Sequence, residues 1–236
     1  MLFDLDGTLV DTAPDLAAAL NRVRLEEGSE ALPFETIRPW VSHGGGALIR
    51  FGFPEADEPR RATLTERLLD HYAAAIAEES RLFPGLEGVL ARLEAAGRPW
   101  GVVTNKPERF TFALMAALGL DRRAACLVSG DTTAHSKPHP APMHHACALA
   151  GCDPATTVYV GDAERDIAAG RAAGMVTLVA EWGYLGPEDD PAGWGADHRL
   201  ATPVDLGHWL ERPAPPAARS TGAAVTTTGP SPEERP

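Results

Sequence analysis

Residues 1–12, MLFDLDGTLVDT, place two aspartates one residue apart, directly after an apolar run and before a Gly-Thr turn. On an extended strand, side chains two residues apart point to the same side, so Asp4 and Asp6 would share one face. Two carboxylates on one face repel each other unless a cation or a shared proton holds them. The stretch therefore indicates a chemical site at the end of a strand, with partners supplied from elsewhere in the chain.

The chain after residue 84 alternates short apolar runs with helical patterns. The runs predicted as strands are WGVVT (100–104), AACLVSG (124–130), TVYVGD (157–162) and VTLVA (176–180). Strands that alternate with helices indicate a parallel sheet with crossover helices. We therefore predict an α/β fold, a Rossmann-like parallel sheet, in which ligands bind beyond the carboxyl ends of the strands.

Residues 13–80 show a helical pattern and contain no good strand candidate. Helices are predicted in PDLAAALNRVRLEEG, in PFETIRPWVS with an interruption near Pro39, and in TLTERLLDHYAAAIAEE. We therefore predict a core domain formed by residues 1–12 and 81–212, with residues 13–80 inserted as a small helical cap. The Pro-, Ala-, Ser- and Thr-rich residues 213–236 have no hydrophobic periodicity and are predicted to be disordered.

Charge and composition exclude several classes of protein. The net charge of −12 disfavours a nucleic-acid partner, because phosphate backbones are bound by clustered Lys and Arg. The 3 cysteines form no CxxC pair, so they indicate neither a disulfide framework nor a zinc site. The sequence shows no signal-peptide pattern and no long apolar run, so we predict a cytoplasmic protein with no membrane partner.

Lysine is rare in this chain. Among 21 basic residues, only Lys106, in TNKP, and Lys137, in SKPHP, are lysines. A compositional bias that replaces surface Lys by Arg accounts for the rest. The two that remain then mark positions where a compact ammonium on a flexible stem is needed and a planar guanidinium does not serve.

Residues capable of chemistry follow several of the predicted strands. Asp4 ends the first strand, Thr104 and Asn105 the second, and Asp162 the one at 157–162, while Lys137 follows the loop after 124–130. Each segment by itself is also explained by a turn, a helix cap, a solvated loop or an acidic helix N-terminus. Their joint occurrence at one edge of one sheet favours a functional site.

These segments resemble the four motifs of haloacid dehalogenase superfamily phosphatases. The resemblance rests on DLDGTL (4–9), Thr104-Asn105, Lys137-Pro138 and GDAERD (161–166), and it covers roughly residues 1–210. Within the superfamily the chain is most similar to the phosphoglycolate phosphatase group. The stretches WGVVTNKPERF, YVGDAERDIAAGRAAGM and EWGYLGPEDDPAGWGAD also resemble a proteobacterial subgroup that acts on N-acetylmuramic acid 6-phosphate.

The resemblance implies a metal-dependent reaction at the two aspartates. Asp4 would attack phosphorus and form an aspartyl-phosphate, and Asp6 would act as general acid and then base. Mg²⁺ would be held by Asp4, the backbone carbonyl of Asp6 and Asp162. Asp166, one helical turn after Asp162, would support the metal or orient Lys137.

The resemblance assigns the remaining motif residues to the phosphate. Thr104, Asn105 and Lys137 would hold the phosphoryl oxygens as their charge redistributes. Lys106 is interpreted only as a loop or cap-contact residue.

The cap contains one stretch that bears on the substrate, the glycine run at 42–46 followed by Arg50. His43 or Arg50 would pair with a substrate carboxylate, and backbone amides of the glycines can approach an anion closely. The alternative interpretation is a flexible loop between helices with an ordinary surface arginine. We expect a small phosphorylated metabolite as partner, with 2-phosphoglycolate as substrate and N-acetylmuramic acid 6-phosphate as the alternative. Monomer and homodimer both stay open.

Other reactions of the superfamily are less consistent with these residues. Dehalogenases do not use a second aspartate such as Asp6, and phosphonatases need a cap lysine, which residues 13–80 lack. A sugar phosphomutase would use the same four motifs. A non-catalytic binding protein on this fold is disfavoured because Asp4, Asp6, Lys137 and Asp162 are all present.

The first strand is short. Only Met1, Leu2 and Phe3 precede Asp4, whereas strands usually have five or six residues. We therefore expect the natural product to carry further apolar residues before Met1, which mass spectrometry of its N-terminus would test.

Overall fold

The computed structural model describes residues 1–211, so the predicted tail at 213–236 lies outside the described residues. The strands are β1 (Leu2–Phe3), β2 (Val10–Asp11), β3 (Arg81–Leu82), β4 (Gly101–Val103), β5 (Leu127–Val128), β6 (Val158–Gly161), β7 (Val176–Ala180) and β8 (His198–Leu200). Six of them form a parallel sheet in the order β5-β4-β1-β6-β7-β8, and β2 pairs with β3 in antiparallel orientation. The predicted α/β fold with a parallel sheet is confirmed.

Helices flank this sheet and fill the segment between β2 and β3. They are α1 (Ala13–Glu26), α2 (Phe34–Ile37), α3 (Gly45–Gly52), α4 (Glu58–Ala74), α5 (Leu86–Ala95), α6 (Glu108–Ala117), α7 (Ala141–Ala150), α8 (Glu164–Ala172) and α9 (Pro203–Leu210). A 3₁₀ helix, Arg38–His43, follows α2 directly. None of the helices in residues 1–211 is long and apolar enough to cross a membrane.

Strand β1 lies at the centre of the sheet. Leu2 and Phe3, which are 1% and 0% exposed, pair with β4 on one side and β6 on the other. A strand buried on both faces is an unbroken apolar run, as the opening residues are. The Asp4 amide continues the pairing by donating to the Val160 carbonyl at 2.8 Å. The first aspartate therefore lies at the carboxyl edge, in the middle of the sheet.

The chain enters and leaves the helical segment at adjacent points. The two connecting strands, β2 and β3, pair with each other. The buried Asp15 carboxylate in the first turn of α1 adds further contacts between these two connections. It accepts hydrogen bonds from the amides of Glu79 and Ser80 and from the Ser80 hydroxyl, at 2.9, 2.9 and 2.6 Å. The β2–β3 pair and the Asp15 hydrogen bonds thus connect helices α1–α4 to the sheet at one place.

The glycine run after His43 is the beginning of a helix and not a loop between helices. Gly44 has φ +81°, a left-handed conformation that side chains other than glycine rarely adopt, and α3 starts at the next residue. Strand β8 was also not predicted from the sequence. Its first two residues, His198 and Arg199, are exposed at the sheet edge, so the apolar pattern of a buried strand is missing.

Candidate active site

The carboxyl ends of β1, β4 and β6 bring the predicted motif residues together. Asp4, Thr104, Lys137 and Asp162 are all buried, with exposed fractions of 2–3%. The Lys137 ammonium lies 2.9 Å from Asp4 Oδ1, although 133 positions separate the two residues in the sequence. Residues this far apart in the sequence lie close together here because the parallel strands end at one edge of the sheet.

The Lys137 ammonium is held from several directions. Besides Asp4, it contacts Asp166 Oδ1 at 2.7 Å, the Val103 carbonyl at 2.9 Å and the Tyr159 hydroxyl at 2.9 Å. Its side chain is 0% exposed, so these contacts replace water entirely. The Asp166 contact is compatible with the predicted role in which Asp166 orients Lys137.

Three carboxylates beside this lysine fit a divalent cation. Asp4, Asp162 and Asp166 each offer a ligand oxygen, and these oxygens lie within 4.8 Å of one another. Burial, together with the charges of Asp4 and Asp166, raises the pKa of Asp162 to about 7. One ammonium, that of Lys137, does not balance three carboxylates, and an all-oxygen donor set of this kind suits a hard ion such as Mg²⁺.

The turn after Asp6 orients Asp162. The Thr8 hydroxyl donates to Asp162 Oδ1 at 3.0 Å, and the Tyr184 amide donates to Oδ2 at 3.0 Å. Gly7 has φ +80°, and a Cβ atom at this position would collide with the same carboxylate. Gly7 of the opening stretch thus allows the backbone to approach the Asp162 carboxylate closely, and Thr8 supplies a hydroxyl donor to that carboxylate.

Asp6 is paired with the other lysine. Lys106 Nζ lies 3.0 and 3.3 Å from the two carboxylate oxygens of Asp6, and the Thr12 hydroxyl donates to Oδ1 at 2.6 Å. The ammonium also lies 4.5 Å from the centre of the Tyr72 ring in α4. Contact with the cap segment was expected, but the ion pair was not. The only signal for it in the sequence was the rarity of lysine.

A cavity of about 350 Å³ lies between the sheet edge and the helices above it. Asp4, Asp6 and Thr104 are among the residues that line it. Asn105 also lines it, but its side-chain amide is bonded to the backbone of Lys137, with both hydrogen bonds 2.9 Å long. In this arrangement Asn105 positions the loop that carries Lys137.

The chain matches the sequence model of the haloacid dehalogenase-like hydrolase family over residues 1–180. It belongs to this family.

Relatives with two different names match this hydrolase closely over most of its length. A phosphoglycolate phosphatase from Xanthomonas campestris pv. campestris is 43% identical over 91% of this chain and 97% of its own length. An N-acetylmuramic acid 6-phosphate phosphatase from Pseudomonas aeruginosa is 41% identical over 90% of this chain and 94% of its own length. These likenesses confirm the predicted resemblance and the prediction of a phosphoric monoester hydrolase.

Solved structures show the same architecture. The crystal structure of a predicted phosphoglycolate phosphatase from Haemophilus somnus 129pt superposes with a TM-score of 0.79 at 27% identity, covering 89% of this chain and 96% of that one.

The cap side of the cavity differs from the sequence prediction. His43 lines the cavity, and burial together with Arg165 lowers its pKa. Arg50 has an exposed side chain on α3 and is not among the cavity-lining residues. Arg165 of α8 lines the cavity, and its Nη2 donates to the Ser42 carbonyl at 2.7 Å. Arg165 was not predicted as a site residue because it lies between the two predicted positions of its motif, Asp162 and Asp166. Ser42 was part of the cap stretch predicted to bear on the substrate, but no role of its own was predicted for it.

Proposed function

We propose that this hydrolase is a Mg²⁺-dependent phosphatase of small phosphorylated acids, with 2-phosphoglycolate as its substrate. The observation that carries the proposal is the Asp4 carboxylate, buried at the cavity floor and paired with Lys137 at 2.9 Å. Further support comes from the relatives named phosphoglycolate phosphatase, which are 43% identical over 91% of the chain.

Asp4 is the proposed nucleophile. Its Oδ1 contacts the Lys137 ammonium at 2.9 Å and accepts from the Leu5 amide at 2.7 Å, which leaves Oδ2 to attack phosphorus. Attack breaks the bond to the leaving oxygen and forms an aspartyl-phosphate on Asp4. Lys137, which contacts Asp4, and Thr104, which lines the cavity, would stabilise the phosphoryl oxygens as their charge redistributes.

Asp6 is the proposed acid and base. It would give a proton to the leaving oxygen and later take one from the water that hydrolyses the aspartyl-phosphate. Lys106 and Thr12 hold its carboxylate in one orientation. A bound divalent cation, held by Asp4, Asp162 and Asp166 and by the Asp6 backbone carbonyl, would offset the charge of the phosphate dianion.

N-Acetylmuramic acid 6-phosphate is the second candidate substrate. The Pseudomonas aeruginosa relative of that name is 41% identical over 90% of the chain. The cavity of about 350 Å³ is also larger than a two-carbon acid requires, since pockets of roughly 300–1,000 Å³ hold drug-sized ligands.

Phosphate release decides between the two substrates. We would measure release from 2-phosphoglycolate and from N-acetylmuramic acid 6-phosphate under identical conditions, with Mg²⁺ and with a chelator. We expect Mg²⁺-dependent release that favours the two-carbon acid, and loss of release in Asp4→Asn. Release from neither ester by folded protein would contradict the proposal, and transfer without free phosphate would indicate a phosphomutase.

The proposal includes a cytoplasmic location and a small metabolite as partner. Cys126, Cys147 and Cys152 are all free thiols, which is typical of a reducing compartment.

A further inference from the structure

Arg165 is a cavity-lining cation that the proposed reaction does not use. It lies in the first turn of α8, between the ligand positions Asp162 and Asp166, and lines the same cavity as Asp4. A guanidinium carries five N–H donors and is permanently charged. Within residues 1–211, the one hydrogen bond of this guanidinium is the 2.7 Å bond to the Ser42 carbonyl. Most of its donors are therefore available to a ligand.

The position of the guanidinium is fixed near the phosphate end of the cavity. Ser42 accepts from Arg165 through its carbonyl and donates through its hydroxyl to Asp162 Oδ2 at 2.9 Å. One residue of the cap segment therefore bridges the guanidinium and a carboxylate of the proposed metal site. A group bound to Arg165 would lie close to the phosphorus and not at the far end of a large leaving group.

The other cations near the cavity are already committed or lie elsewhere. Lys106 and Lys137 each form ion pairs with carboxylates of the site. Arg50 is exposed and outside the cavity lining. His43 lines the cavity, but burial and the neighbouring guanidinium lower its pKa, which disfavours the imidazolium that a carboxylate prefers.

We propose that Arg165 binds the carboxylate of the leaving group and selects acidic substrates in which that carboxylate is close to the phosphate. This inference rests on the proposed phosphatase function. Arginine pairs with carboxylates through two parallel hydrogen bonds, which gives it orientation as well as strength. Gly44 and Gly45 also line the cavity and have no side chains to fill it.

The test compares esters that carry the carboxylate with related esters that lack it. 2-Phosphoglycolate is paired with ethyl phosphate, and N-acetylmuramic acid 6-phosphate with N-acetylglucosamine 6-phosphate. For Arg165→Gln we expect kcat/KM for 2-phosphoglycolate to fall on the order of 10- to 100-fold, mainly through KM, because a charge-assisted pair is lost. Ethyl phosphate should change by less than about threefold, within the context variation of such contacts.

Controls separate binding from structural roles. Arg165→Lys should restore part of the discrimination, and Arg171→Gln, on the same helix, should leave the ratio of the two esters unchanged. Equal losses of kcat/KM on both esters would indicate that Arg165 only holds Ser42 in place, and would overturn the inference. The inference would also be overturned if Arg50→Gln, and not Arg165→Gln, removed the discrimination between the esters. A loss of discrimination confined to the sugar pair would overturn it as well.

A binding measurement keeps the inference testable without turnover. 2-Phosphoglycolate and ethyl phosphate are titrated into Asp4→Asn protein, with and without Arg165→Gln, by calorimetry. The inference is supported if Asp4→Asn protein binds 2-phosphoglycolate more tightly than ethyl phosphate and the addition of Arg165→Gln removes this preference. This result would hold even if wild-type protein hydrolysed neither ester. Such a lack of hydrolysis would contradict only the phosphatase proposal. Absence of any preference for the acid would overturn the inference itself.

Discussion

Lys106 and Lys137 are the chain's only lysines, and each forms an ion pair with one of the two aspartates of the opening stretch. An ammonium is compact and can turn its three donors toward several acceptors, whereas a guanidinium is planar and wide. Both ammonium groups are buried, with the lysine side chains 6% and 0% exposed. At the residue scale, each lysine therefore places a compact donor group in a buried ion pair.

We expect Lys106→Met to lower kcat for phosphate release about 100-fold, within the range for loss of a correctly held acid or base. The physical reason is that the Asp6 carboxylate loses the cation that orients it. Steady-state kinetics would be measured together with thermal unfolding, and Lys106→Arg should retain part of the activity because charge is kept. An unchanged kcat in folded Lys106→Met protein would show that the ion pair has no part in the reaction.

At the scale of elements, the cap segment is joined by a charged network between α1 and α4. Glu26 and Glu27 near the end of α1 pair with Arg60, Arg67 and His71 of α4. Hydrogen bonds from Arg67 and then His71 lower the pKa of Glu26 to about 2 from its ordinary value of 4.5. The network lies on the surface, so its effect is small and is screened by salt.

The lowered pKa of Glu26 predicts how the stability of the fold changes with pH. Because the pKa of Glu26 is lower in the folded state, its contribution is present above pH 4.5 and is lost as pH falls toward about 2. We expect the melting temperature of Glu26→Gln to lie below that of wild type at pH 7 and the gap to narrow below pH 4.5. Melting curves at low salt would measure it. A gap that is constant from pH 7 to pH 3 would contradict the assignment.

At the scale of the whole molecule, the proposed metal site exists only when β1, β6 and α8 are assembled. Asp4, Asp162 and Asp166 come from these three elements or their ends, and their ligand oxygens lie within 4.8 Å of one another. An ion that binds the folded chain and not the unfolded chain stabilises the fold by mass action.

We therefore expect Mg²⁺ at about 100 times its dissociation constant to add about 2.7 kcal/mol of stability, or roughly 5–10 °C in melting temperature for a chain of this size. Removal of the ion with a chelator should reverse the shift. Asp162→Asn should abolish the shift because it removes a proposed ligand of the ion. The variant should stay folded in chelator, because it also removes one of three carboxylates that repel each other. A full Mg²⁺ shift in Asp162→Asn would place the ion elsewhere.

The sequence by itself determined the fold class and the four motif segments. Val176–Ala180 was predicted with its observed bounds, because a buried parallel strand is a continuous apolar run. Asp4, Thr104 and Asp162 were predicted at one edge because each follows such a run. Local residue order is sufficient for these features, since they depend on periodicity and on the rule that parallel strands end together.

Only the tertiary structure decided which side chains share the cavity above that edge. The pairing of Lys106 with Asp6 spans 100 positions, and Arg165 reaches Ser42 across 123. Arg50 and Arg165 look alike as sequence letters, yet one is exposed on α3 and the other lines the cavity. The physical reason is that side-chain contacts between the cap segment and the core depend on how elements far apart in the sequence pack against each other, and no local pattern encodes those contacts.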